Sequence, residues 1–114
     1  MQNTRRASAL DHILTTLPAL RRVLDVIRRH DRNLEEQVRR AATSVALNLG
    51  EADGQEAGHR RNRLRTALGE LREVRTGLKV AVAFGYVTEH AVADLDQRLD
   101  EATAMTWRRL HPRP

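Results

Sequence analysis

The chain contains no cysteine, and its 114 residues include only three aromatics, three prolines and six glycines. Without cysteine there are no disulfides and no thiolate metal sites, which fits a reducing compartment. Phe84, Tyr86 and Trp107 are too few to build the aromatic-rich strands of a sandwich or barrel. So little glycine and proline also leaves little material for the many turns of an all-β fold. No apolar run approaches the roughly 20 residues of a membrane span. The opening Met1-Gln2-Asn3-Thr4-Arg5-Arg6 lacks the apolar stretch of a signal peptide. The expectation is a cytoplasmic protein with no membrane contact, folded as a single domain over residues 1–114.

Lysine is nearly absent as well: Lys79 is the one lysine among 20 basic residues, and the formal net charge is +5. Arginine's planar donor fork suits phosphates, so an arginine-rich surface invites a nucleic-acid reading. A GC-rich genome would produce the same preference, and alanine and leucine are abundant here too.

What the chain does have is helical periodicity. Leu10, Ile13, Leu17, Leu20, Leu24 and Ile27 recur at spacings of three and four, the stripe of one amphipathic helix. Pro18 lies on its outer side and predicts a kink or a helix start at Thr16. Asn33, with Glu36 three residues on, reads as the capping box of a second helix that ends near Asp53-Gly54. Gln55 to Gly58 reads as a connection. A third stripe follows through Leu64, Ala67, Leu71, Val74, Leu78 and Ala81, closed by Gly85 as a left-handed C-terminal residue. Thr88 caps a fourth helix with Val92, Leu95, Leu99 and Ala102 inside. Four amphipathic helices with short connections predict an all-α, antiparallel up-down-up-down four-helix bundle. Its core joins Leu24, Val45, Leu71, Val74, Leu78, Leu95 and Leu99.

The second helix is apolar or small on nearly every side. Leu34, Ala41 and Asn48 share one inward heptad position, and Val38, Val45 and Ala52 share another. Thr43, Ala46, Leu47 and Gly50 lie on the opposite face, where a monomer's surface helix would carry charge. A helix that is apolar all round is buried all round, so a second copy of the chain is expected there. On the third helix Asn62, Gly69, Thr76 and Ala83 form an outward line of small residues that suits a neighbouring helix. Arg61, Arg65, Arg72, Arg75 and Lys79 form a basic edge beside it, and Arg39 and Arg40 are a second basic pair. Glu70 and Glu73 have no basic residue three or four positions away, so the basic edge is free to meet either nucleic acid or another subunit's acidic edge.

Catalytic chemistry has little footing. Glu56-Ala57-Gly58-His59 has the spacing of a di-iron bundle motif, but no second copy or further inward glutamates accompany it. No phosphate loop or nucleophile motif is present. Asn48 and Glu51 read as a structural polar pair that ties helix ends together, with a general-base role for Glu51 as the distant alternative. The expectation is no enzyme, no metal and no cofactor. Because no aromatic residue is interleaved with the basic edge, recognition of nucleic acid is expected to be of phosphates rather than stacked bases.

Arg39-Arg40-Ala41-Ala42, Ser44 and Asn48-Leu49-Gly50-Glu51 resemble the Arg-Arg-Ala…Ser…Asn-Ile-Ala-Glu-Gly helix of the bacterial four-helix-bundle proteins first found in intervening sequences of 23S ribosomal RNA genes. Ala67-Leu68-Gly69-Glu70-Leu71-Arg72-Glu73 is similar to that family's Ala-x-Gly-Ser-Leu-x-Glu, and Gly85-Tyr86-Val87 to its Gly-Tyr-Leu turn. The resemblance runs in order over about residues 34 to 110. Ala46 stands where the family has proline, Ala52 where it has glycine, and the first helix is aliphatic rather than aromatic-rich. The resemblance implies a homopentameric ring of bundles, as in the related accessory proteins of diversity-generating retroelements. Those proteins bind a reverse transcriptase and nucleic acid, so the implied partners are RNA or DNA and a reverse transcriptase. Most members of the wider family have no assigned biochemical activity.

Overall fold

In a computed structural model the described residues are 8–54 and 56–113, and among them the backbone forms four α-helices and no strand. They are α1 (Ala9–Arg28), α2 (Arg32–Asp53), α3 (Ala57–Ala83) and α4 (Glu89–Leu110). The opening residues read above as lacking a signal peptide lie outside the described residues, as does Gln55 of the connection. No described helix is long and apolar enough to cross a membrane.

The helix ends follow local hydrogen-bond chemistry. Ser8 and Asp11 form a reciprocal capping box on α1, each side chain accepting the other's backbone N–H at 3.0 Å. From there α1 runs unbroken through Pro18 to Arg28, so of the two alternatives at Pro18 the helix start at Thr16 does not occur. Ile13 and Thr16 before the proline and Leu20 and Leu24 after it are buried, which holds both halves to one core while the ring faces solvent. The cap of α2 is Asp31, not Asn33: its carboxylate accepts the Leu34 N–H at 2.9 Å, and the helix begins two residues earlier than expected. Ala57 and Gly58 belong to α3 rather than to the connection before it. Gly85 has φ of 77° and takes the left-handed position, and Thr88 caps α4 through the Ala91 N–H.

Side chains from all four helices close one core, with α1 and α3 each packed on both α2 and α4. The seven residues expected inside are all buried, as are both inward seams of α2. The stripe on α1 is rotated from the expected one. Ala9, Ile13, Thr16, Leu20, Leu24 and Ile27 are buried, whereas Leu10 and Leu17 are only half-buried and Leu14 is exposed. Thr16 can enter the core because its hydroxyl donates to the His12 carbonyl at 2.8 Å, leaving no unpaired polar group. The consequence is that Leu10 and Leu17 pack only against the margin of the core and Leu14 faces solvent.

At the buried Gly77, α3 packs closely against α2. A Cβ placed there would overlap the Val38 Cγ2. Val38 is β-branched and nearly fixed at χ1 inside a helix, so it cannot rotate aside. Gly77→Ala is therefore expected to destabilise the fold by about 1–3 kcal/mol, the range for overpacking, despite alanine's better helix propensity. Urea denaturation of the two proteins measures it; an unchanged or higher midpoint would mean that α2 and α3 can part at no cost.

Candidate nucleic-acid interface and assembly surface

The residues of the expected basic edge divide by what they touch. Arg75 points across to α4, where its Nε and Nη2 donate to Asp96 at 2.9 and 3.2 Å and its Nη1 donates to Asp100 at 3.0 Å. This two-pronged pairing holds the Asp96 carboxyl below its usual range and raises Arg75 further. Arg75 thus serves as an α3–α4 tie, and its donors are already engaged. Lys79 lies close enough to Asp96 to help lower that carboxyl. Arg61, Arg65 and Arg72 are exposed and form no ion pair among the described residues.

The second basic pair divides in the same way. Arg39 donates to Glu35 one turn back at 2.8 Å, and Glu35 is itself buried. This bond, more than Coulomb attraction, raises the Arg39 pKa. Arg40 is exposed and unpaired among the described residues. Sequence spacing places Glu35 one turn before Arg39, but its burial comes from α1 packing over it, which spacing does not reveal.

Asn48 is buried on α2, where its amide donates to the Ser44 carbonyl and hydroxyl at 2.8 and 3.1 Å. Arg63 of α3 completes the group, donating to the Asn48 Oδ1 at 3.3 Å and pairing with Glu51 at 3.0 Å. The Glu51 side chain is 52% exposed, so it lacks the buried setting that a general-base role would need. One arginine thereby joins the end of α2 to the start of α3. Arg63 is absent from the expected site residues because its partners lie 12 and 15 positions away in sequence. Asp53 and Arg109 add an ion pair between the ends of α2 and α4 at 3.0 Å. Among the described residues no three His, Cys, Asp or Glu side chains converge in a way that could hold a metal ion. Glu56 and His59 are both exposed at the start of α3.

The outward face of α2 is apolar and uncovered. Leu47 is 63% exposed, Thr43 and Gly50 are exposed, and Ala46 is half-buried. Gly50 lies beside the half-buried Leu10, so this face continues onto α1, where Leu14 is 48% exposed. On another side of the molecule Gly69 and Thr76 open a groove between α2 and α3, which Gln37, Arg72, Glu73 and Val80 also line. Small side chains at Gly69 and Thr76 make that groove, since nothing lies within 4 Å of a Cβ built at Gly69.

Comparison with known proteins places this geometry. No curated protein matches the sequence. A crystal structure from Bacteroides thetaiotaomicron, of a protein of unknown function from the S23 ribosomal protein family, superposes with a TM-score of 0.80 at 19% identity. The superposition covers 90% of this chain and 97% of that one, so the two share a fold. A family model described as 23S rRNA-intervening sequence protein matches residues 20–108, which hold the seam of α2, the Gly85 turn and most of α4. With that match over most of its length, the chain belongs to the 23S rRNA-intervening sequence protein family.

Proposed function

We propose that the protein is a non-enzymatic, self-assembling helical bundle of up-down-up-down topology that binds nucleic acid, or a nucleoprotein partner such as a reverse transcriptase, through its arginine surface. The observation that carries this reading is the set of exposed arginines with no acidic partner: Arg40, Arg61, Arg65 and Arg72. Surface arginines that served only packing would be expected to pair as Arg75 and Arg63 do. Three of the four lie along α3, and a row of unpaired guanidinium groups is suited to a run of phosphates.

Two outward surfaces support the assembly part of this reading. A closed ring needs two different, complementary patches on each subunit. The leucine face of α1 and α2 is one candidate, and the groove at Gly69 and Thr76 is the other. Five subunits is the number that family membership favours. A ring would also repeat the arginine edge, so weak contacts per chain would add up to useful avidity.

Fluorescence anisotropy with labelled RNA and DNA over a range of salt tests the binding. Three or four phosphate contacts predict a log–log slope of about −3, from roughly −0.9 per contact on a duplex. Reversing Arg65 and Arg72 to Glu should abolish binding without changing the oligomer. A wild type that binds neither RNA nor DNA at low salt would instead make this a structural or protein-interaction module.

A further inference from the structure

At one end of the molecule, the turn after α1 and the turn after α3 bring three rings together. Tyr86 stacks on His30 with centroids 5.1 Å apart and planes within 7°. It also stacks on Phe84, at 5.3 Å and 15°. The Tyr86 hydroxyl donates to Asp31 at 3.3 Å, and burial, reinforced by that carboxylate, raises the tyrosine's pKa. Asp31 is thus engaged twice, with the tyrosine and with the first turn of α2. Arg28, Arg29 and Arg32 flank His30 in sequence; all three are exposed and form no ion pair among the described residues. Asp25, Glu36 and Glu89 are exposed acids on adjoining turns and Glu35 is a buried one bonded to Arg39, and none of the four forms an ion pair with these arginines.

We infer that this ladder is a stacking platform for an unpaired base of single-stranded nucleic acid, with the phosphates held by Arg28, Arg29 and Arg32. The inference rests on the nucleic-acid reading above and extends it from phosphate contact to base contact. Clamping the two turns together requires only Tyr86, which is half-buried and hydrogen-bonded. Phe84 is 67% exposed and adds little to such a clamp. An outward ring beside unpaired arginines is the combination by which single strands are gripped without regard to sequence. The α3 edge leads to this end as well, since Lys79 lies just over one helical turn before Phe84. Spacing along the chain hides the site, because Arg28 and Phe84 are far apart in sequence.

The test uses the full chain and fluorescein-labelled single strands of about ten nucleotides, within the footprint of such readers. RNA and DNA versions, an abasic strand of equal length and a duplex are compared by anisotropy. Phe84→Leu should weaken binding of the RNA or DNA strand by about tenfold, within the range for losing one base–aromatic stack. Phe84→Tyr should restore it. Affinity for the abasic strand and the duplex should not change, and neither variant should shift the melting temperature. Equal losses on intact and abasic strands would make Phe84 a plain apolar contact and overturn the inference. Wild-type binding that Phe84→Leu leaves intact would overturn it while sparing the phosphate reading. A wild type that binds none of the probes overturns both.

Discussion

Leu71→Ala is expected to lower the free energy of unfolding by about 2–5 kcal/mol, read as a shift of the urea midpoint at fixed protein concentration. Leu71 is fully buried at mid-α3. It borders a narrow internal space shared with Ile13 and Thr16 of α1, Val45 of α2 and Leu99 of α4. Truncation there removes apolar contact with all three other helices at once and enlarges a gap that already exists. Relaxation is hindered because Thr16 is held to its own helix by the His12 carbonyl, and Val45 is β-branched. A loss well under 1 kcal/mol would mean that α3 presents a different face to the core, which would undo the register on which every outward residue named above depends.

That register was legible because α2, α3 and α4 each bury one unbroken heptad stripe, and a period repeated over several turns outweighs individual propensities. The first helix misleads for a specific reason. Its most apolar stripe contains Leu10 and Leu17, yet the buried positions include Ala9 and Thr16. A threonine whose hydroxyl bonds back to its own helix behaves as an apolar residue, and hydropathy alone cannot see that bond. The cap at Asp31 was missed in favour of Asn33 because both are good capping residues and both precede a helical pattern.

Site residues were legible only as far as local spacing carries. Periodicity places Arg61, Arg65, Arg72, Arg75 and Lys79 near one another on α3. It does not reveal that Arg75 alone reaches two aspartates of α4, 21 and 25 positions away in sequence. The same limit hid Arg63, whose bonds to Asn48 and Glu51 cross from α3 to α2, and the stacking of His30 on Tyr86. The outward face of α2 shows the opposite case. Thr43, Ala46, Leu47 and Gly50 were assigned from a single helix's periodicity, and four-helix packing leaves them uncovered apart from the half-buried Ala46.

Leu47→Arg is expected to convert the assembly to monomers while leaving the helical content unchanged. Leu47 is 63% exposed in the single chain, so arginine there faces water and costs the fold little. In a ring it would be enclosed against another subunit's apolar surface. A buried charge with no partner costs several kcal/mol, enough to dissociate an interface of ordinary stability. Light scattering at micromolar concentration reads the mass, and circular dichroism reads the helices. Leu47 is not one of the arginines proposed to bind, so the same variant separates contact from avidity. If nucleic acid is gripped by several subunits at once, monomers should bind about 10²-fold more weakly and with a shallower salt slope, although no arginine has been removed. A wild type that is already monomeric at that concentration would remove the ring. The exposed leucines of α1 and α2 would then have to meet a different protein.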